Sequence, residues 1–253
     1  GNADDQIRHA VTKLAHIHLT TNLESKERVL GLGEQDFRVH NVGNPGLDRL
    51  METKKLSLSQ ISNNLNFSIP DGKPYIILIQ HALSSEVKDA YRQMKITLDA
   101  INVMGITTII SYPNSDAGGG EIIKAIEEYS LVPFIYRAKN IPRWDFVNLL
   151  RNAACLVGNS SLGILEAPLL KLPVVNIGNR QTGRLHAENV QFVPHEKNAI
   201  ISAIQMAVHD DGYISAVKRC RNPYGDGKSS QKIAEIIANT VIDKKLLVKD
   251  ITY

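Results

Sequence analysis

Cysteine is scarce in this sequence: only Cys155 and Cys220 occur in 253 residues, and so distant a pair gives neither a metal-ligand spacing nor a disulfide framework. Reduced, structural thiols are expected. No Gly-x-Gly-x-x-Gly follows a first strand, which argues against a dinucleotide-binding dehydrogenase. No stretch approaches the roughly 20 apolar residues of a membrane span. The opening, with Asp4, Asp5, Arg8 and His9 close together, has no apolar core behind a basic start; no secretory signal is read and a cytoplasmic setting is expected. Formal net charge is only +3, with both signs spread along the chain, so the basic stripe that nucleic acid demands is missing. What is present is ordinary for a globular protein: 43% hydrophobic and 22% charged residues, in a chain long enough to bury a core without staples.

From Tyr75 onward, short apolar runs rich in branched residues alternate with longer amphipathic stretches, the rhythm of strand and helix units over a parallel sheet. Tyr75 to Gln80, Thr107 to Tyr112, Leu131 to Ile135, Ala154 to Val157 and Val174 to Ile177 read as strands, nearly continuously apolar because helices cover both faces. The fold class expected is therefore α/β with a doubly wound, Rossmann-like sheet. Val87, Ala90, Tyr91, Met94, Leu98 and Ile101 recur at helical spacing, as do Ile122, Ile123 and Ile126, and these stripes read as core faces. Leu58 to Ser68 is polar and Asn-rich enough to read as a surface connection. Nearer the start, Asp5 to Leu14 has a helical stripe of Ile7, Ala10, Val11 and Leu14, while Ile17 to Leu19 and Phe37 to Val42 read as short strands. Gly43, Pro45 and Gly46 then mark a break. The expected division is 1–50, the tail of a domain whose earlier strands are absent, and 51–253, a larger domain.

Leu156 to Glu166 (LVGNSSLGILE) runs from an apolar strand through a glycine-bearing polar turn into a helix. Unpaired N–H groups at a helix start favour an anion, Ser160 and Ser161 add hydroxyls, and Gly163 leaves room for close approach. Glu166, about one turn beyond Gly163, can accept both hydroxyls of a ribose. Asn-Ser-Ser before a helix is equally a capping sequence. Ser111 to Gly120 (SYPNSDAGGG) repeats the strand-to-turn logic with Asn114 and Asp116, residues that ordinary loop chemistry also favours. His81 stands at the carboxyl end of a strand, where open α/β sheets bind ligands, and is the best candidate for a catalytic histidine. His16 and His18 alternate on a short strand without an evident carboxylate partner and read as structural. Arg180 and Arg184, in the loop NRQTGR, present forks suited to diphosphate oxygens, although surface arginines are common. NPYGDG, at 222–227, demands an irregular backbone.

Taken in order, DDQIRHAVTKLAHIHL, QHALSS, YPNSDAGG, GNSSLGILEA, NIGNRQTGR and NPYGDG resemble the hydrolysing UDP-N-acetylglucosamine 2-epimerases, which share the two-domain GT-B fold of many glycosyltransferases. The likeness runs from Asp4 to about Ile237. It implies UDP on the larger domain, with the diphosphate at Ser160 and Ser161, the ribose on Glu166 and the uracil near Phe146. It also implies that His81 faces the sugar and diphosphate, with Asn114, Asp116, Arg180 and Arg184 lining the cleft. The implied reaction eliminates UDP across C1 and C2 to a glucal, then adds water with inversion at C2 to give N-acetylmannosamine for sialic or related nonulosonic acids. Neither a metal nor another cofactor is implied, and a homodimer or larger assembly is expected. A GT-B glycosyltransferase using a UDP-sugar is the alternative. The glycine-rich loop and acidic strand ends of the family's first domain have no counterpart in this sequence, which is therefore expected to be a C-terminal fragment that binds UDP with little turnover of its own. Asp5 and Arg8 read equally as an interdomain remnant and as a solvated helix.

Overall fold

The structure, a computed structural model, describes residues 3–253 apart from 66, 68, 70, 71, 251 and 253; the side chains of residues 3–5, Asp5 included, lie outside that description. The chain packs as two compact units, residues 1–52 with 223–253 and residues 53–222. The first unit's opening segment ends at residue 52. The last 31 residues, assigned from sequence to the larger domain, group with the opening segment.

The smaller unit opens with α1 (Ala3–Leu14), β1 (His18–Thr20), α2 (Leu23–Gly31), β2 (Val39–Asn41) and α3 (Gly46–Glu52), and β1 pairs in parallel with β2. The strand expected over 37–42 is shortened because Asp36–Arg38 forms a 3-10 turn. That turn carries Arg38 inward to 1% exposure, where its guanidinium donates to the carbonyls of His16, Lys245, Leu246 and Val248. A buried guanidinium is tolerated only with its donors satisfied, and here main-chain carbonyls satisfy them. His18 does have a carboxylate partner, Glu34, at 3.0 Å. Burial opposes ionisation of Glu34, yet hydrogen bonds from Lys249, His18 and Lys13 bring its carboxyl down to about 2.

The larger unit runs α4 (Leu58–Leu65), β3 (Tyr75–Ile79), α5 (Ala90–Met104), β4 (Thr107–Ser111), α6 (Gly119–Glu127), β5 (Ile135–Ala138), α7 (Arg143–Asn152), β6 (Cys155–Gly158), α8 (Leu162–Leu165), β7 (Val174–Ile177), β8 (Val190–Val193), α9 (Lys197–His209) and α10 (Asp211–Arg219). After residue 222, α11 (Ser229–Asn239) and α12 (Lys244–Leu247) rejoin the smaller unit. Asp48 of α3 caps α11, accepting from the backbone N–H groups of Ser229 and Ser230 at 3.0 and 2.5 Å. The NPYGDG turn is irregular as expected, with Gly225 and Gly227 at positive φ and Tyr224 O accepting from Asn44 N.

Three expectations shift. Leu58 to Leu65 is a helix, not a connection: Ser57 and Gln60 form a reciprocal capping box (Ser57 N to Gln60 Oε1 2.9 Å, Gln60 N to Ser57 Oγ 3.2 Å), and Ile61 is buried. The strand expected at Leu131–Ile135 begins only at Ile135, because Pro133 has no N–H for a ladder and Leu131 is 94% exposed. β8 has no counterpart among the expected strands. All six strands of the larger sheet are parallel, in the order β5-β4-β3-β6-β7-β8.

Strand residues alternate between two cores, as a two-sided sheet requires. Ile76, Leu78, Ile110, Val157 and Val175 pack with Met94, Leu98 and Ile101 of α5, Ile122 and Ile126 of α6, and Ile200 and Ile204 of α9. Tyr75, Ile77, Ile79, Ile109 and Leu156 pack on the opposite face with Ile61 of α4 and Leu149 and Leu150 of α7. Each such side chain contributes about 1.5–3 kcal/mol by leaving water. Both cysteines are free and buried, and burial pushes the Cys155 thiol up to about 12, which makes it an inert part of the core.

Candidate functional site

In a sheet of this order the succession of strands reverses between β3 and β6, and the crevice outside their carboxyl ends is where such folds bind ligands. Two residues shape that crevice. Gly158, the last of β6, has φ +121, and a Cβ there would lie 2.0 Å from the Ile79 carbonyl oxygen. Asn159, 4% exposed, follows it. Its N–H makes the last rung to Ile79 O at 3.1 Å, and its carboxamide then takes the place of main chain, accepting from His81 N at 2.8 Å and donating to His81 O at 2.9 Å.

His81 is thereby fixed immediately beyond β3. Its Nδ1 lies 3.2 Å from Asn114 Oδ1 and 3.3 Å from Asn114 N, on the loop after β4, and Asn114 Nδ2 donates to Asp116 at 2.5 Å. Burial, helped by the charge of Arg180, holds the His81 imidazole below the ordinary histidine value, against the opposing pull of Asn114 and Asp116. At neutral pH the ring is therefore uncharged, with Nδ1 engaged by Asn114.

The loop after β7 closes the same edge. Arg180 Nη1 and Gln181 Nε2 both donate to Asn159 O, at 3.1 and 2.9 Å, and Arg184 Nη1 donates to Gln181 Oε1 at 2.8 Å. The hydrogen-bonded chain Asp116–Asn114–His81–Asn159–Gln181–Arg184 thus crosses the ends of four adjacent strands, β4, β3, β6 and β7. Asn159 and Gln181 do not stand out in the sequence. Both lie inside the motifs named above, but nothing in a linear pattern says which amide turns inward.

Ser160 and Ser161 follow Asn159 directly. Ser161 occupies the N-cap of α8 without a side-chain cap bond, and Ser160 Oγ accepts only a long 3.4 Å contact from Leu162 N, so capping does not use up either hydroxyl. α8 is a single turn, ended ahead of Pro168. So short a helix supplies little dipole, and free N–H groups and hydroxyls are what remain for an anion. Gly163 serves the fold rather than a ligand: a Cβ there would meet Val174 Cγ1 at 2.8 Å, so the absent side chain lets α8 lie on the sheet.

Glu166 is half-buried at the end of α8, and its carboxylate has no hydrogen-bond partner among the described residues. Burial pushes its carboxyl above the ordinary range, with the charge of Arg143 pulling part of the way back. Arg143 begins α7, and Phe146, three residues on, is half-buried against the α7-side core. Among the described residues no hydrogen bond joins Glu166 or Phe146 to the chain built on Asn159, and no group of three or more His, Cys, Asp or Glu side chains is placed to hold a metal. A cavity of about 460 Å3 lies in the smaller unit, lined by Ile17, Phe37, His40, Ile236, Val241 and Leu246 among others, and includes none of these residues.

A family model for UDP-N-acetylglucosamine 2-epimerase matches residues 1–238. The UDP-N,N'-diacetylbacillosamine 2-epimerase (hydrolyzing) of Legionella pneumophila is 32% identical over 249 residues, 98% of this chain and 64% of that protein. The UDP-N-acetylglucosamine 2-epimerase of Neisseria meningitidis is 30% identical over 245 residues, 94% of this chain and 62% of that protein. A crystal structure of the N. meningitidis UDP-GlcNAc 2-epimerase bound to UDP-GlcNAc superposes with a TM-score of 0.70 at 22% identity, covering 90% of this chain and 62% of that one, which speaks for the GT-B-like α/β fold alone. The chain thus spans less than two thirds of the length of these relatives. Extent and identity of the match together place it: this chain belongs to the UDP-N-acetylglucosamine 2-epimerase family.

Proposed function

We propose that the whole protein is a hydrolysing UDP-N-acetylglucosamine 2-epimerase, turning UDP-N-acetylglucosamine and water into N-acetylmannosamine and UDP for sialic or related nonulosonic acid synthesis. The observation that carries this reading is the hydrogen-bonded chain at the β3/β6 reversal, which brings an uncharged histidine and two arginines to one crevice. In the first half-reaction a base removes the C2 proton, and the C1–O bond breaks with its electron pair leaving on the β-phosphate. In the second, hydroxide adds at C1 and a proton at C2 from the opposite face. Arg180, Arg184, Ser160 and Ser161 offset the charge gathering on the departing diphosphate. His81 faces sugar and diphosphate with Nε2, and the acidic groups that handle the C2 proton come from elsewhere in the whole protein. A cytoplasmic, homodimeric or larger assembly belongs to the same reading; no described helix is long and apolar enough to cross a membrane. Incubation of the full-length protein with UDP-N-acetylglucosamine is expected to release UDP and N-acetylmannosamine in equal amounts. Absence of both products sinks the proposal, and sugar transfer to an added acceptor points instead to a glycosyltransferase.

Glu166 holds the ribose hydroxyls and Phe146 flanks the uracil. The half-buried, hydrogen-bond-free carboxylate supports the first role, and the place of Phe146 on α7, three residues after the Arg143 whose charge acts on Glu166, supports the second. Calorimetric titration of this chain with UDP is expected to show Glu166→Ala binding ten- to a hundredfold more weakly, since a charged hydrogen-bond partner contributes about 1.5–3 kcal/mol. The pH dependence has a definite sign. A carboxyl raised in the folded state loses its charge at a higher pH than usual, so UDP affinity falls on acidification while ordinary carboxylates are still ionised. The same shift makes ionised Glu166 a cost to folding that sets in as pH rises from the unfolded-state value through the folded one. Glu166→Gln is accordingly expected to raise the melting temperature at neutral pH and to lose that advantage in acid, a pairing of weaker binding with greater stability that a surface glutamate does not give.

A further inference from the structure

The geometry points to Asn159 as the positioning residue that holds His81 and, through its own carbonyl, the arginine loop in register across the β3/β6 reversal. The inference deepens the proposed reaction and rests on it. Gly158, at φ +121, turns the β6 backbone away just as β3 ends, so the N–H and C=O of His81 have no main-chain partner on that side. The Asn159 carboxamide presents one acceptor and one donor to them, at 2.8 and 2.9 Å, and so extends the ladder by one residue with a side chain. Only a carboxamide at this reach does both: Asp lacks the donor, and Ala leaves two half-buried backbone groups unpaired, which costs more than the bonds gain when made. The carbonyl of the same residue accepts from Arg180 and Gln181, and Gln181, 2% exposed, passes the constraint to Arg184. One residue therefore sets the distance between the group at the sugar and the groups at the diphosphate, and such geometry decides rate more than affinity.

The test needs no turnover. In the wild-type chain the His81 amide, beyond the last strand residue, is expected to exchange with solvent roughly a hundredfold more slowly than an unprotected amide; fast exchange overturns the proposal without any variant. The His81 ring, faced by Arg180, Asp116 and Asn114, is then titrated by NMR in histidine-labelled wild type, Asn159→Ala and Asn159→Gln. Once freed from its anchor the ring gains solvent and leaves Arg180, so in Asn159→Ala its titration moves upward toward an ordinary histidine, with the longer carboxamide of Asn159→Gln partly restoring it. A purely structural asparagine lowers the melting temperature and leaves the titration of His81 where it was, and that outcome refutes the assignment. Calorimetry with UDP separates the two levels. A wild-type chain that binds no UDP overturns the nucleotide site proposed for this chain, whereas unmoved His81 in a chain that binds UDP overturns the role of Asn159 alone.

Discussion

Replacement of His81 by alanine in the full-length protein is expected to lower kcat by roughly 100- to 10,000-fold, the range for the acid–base role we propose for it, while UDP affinity in this chain changes by only a few fold. The split follows from position. His81 sits beyond β3, tied on one side to Asn159 and on the other to Asn114, and no residue proposed for the ribose or uracil touches it. Its half-buried ring contributes little to either core, so the variant should unfold cooperatively near the wild-type midpoint. Because burial and Arg180 hold the ring uncharged, turnover is expected to fall on the acid side only at pH values below the ordinary histidine range. Full activity in His81→Ala, or a loss confined to KM, removes the residue from the chemistry.

Gly158→Ala is expected to be the most damaging single-methyl change in the larger unit. At φ +121 an L side chain is already strained. In addition, the new Cβ would sit 2.0 Å from Ile79 O and 3.2 Å from Gln80 N, backbone atoms held in the β3 ladder. Strain and overlap together exceed about 4 kcal/mol, a large part of the 5–15 kcal/mol that holds a typical domain. Gly163→Ala is the control: its Cβ meets the tip of the Val174 side chain, which can rotate, so the cost is expected to be about 1–3 kcal/mol. Urea denaturation of the two variants decides the matter, and equal midpoints contradict a rigid close approach of β6 to β3 at Gly158.

Linear sequence showed most of the fold because a buried parallel strand is an apolar run whatever surrounds it. Tyr75–Ile79 and Val174–Ile177 are legible for that reason. Alternation with polar residues hides β8, whose burial switches along Val190–Val193 as it does at a sheet edge. Leu58–Leu65 reads as a connection because Asn and Ser dominate its composition, although the Ser57–Gln60 capping box is there to be seen. The return of residues 223–253 to the first unit is not legible at all. It depends on Arg38 and Asp48 binding backbone groups some 180 to 210 residues away, and a backbone group carries no sequence signature.

The site divides in the same way. Sequence alone determined the α/β class, the family, and which segments carry glycine turns with hydroxyl or guanidinium groups at strand ends, since these are local properties of a segment. Only the tertiary structure decided which of them lie together. The strand order sets β3 beside β6, and with that neighbour fixed Gly158 becomes a close approach, Asn159 a bridge to His81, and Gly163 a packing residue rather than a ligand contact. The physical reason is that hydrogen bonding and steric exclusion act over about 3 Å in space, and segments 78 residues apart in the chain come within that distance only when the sheet has closed.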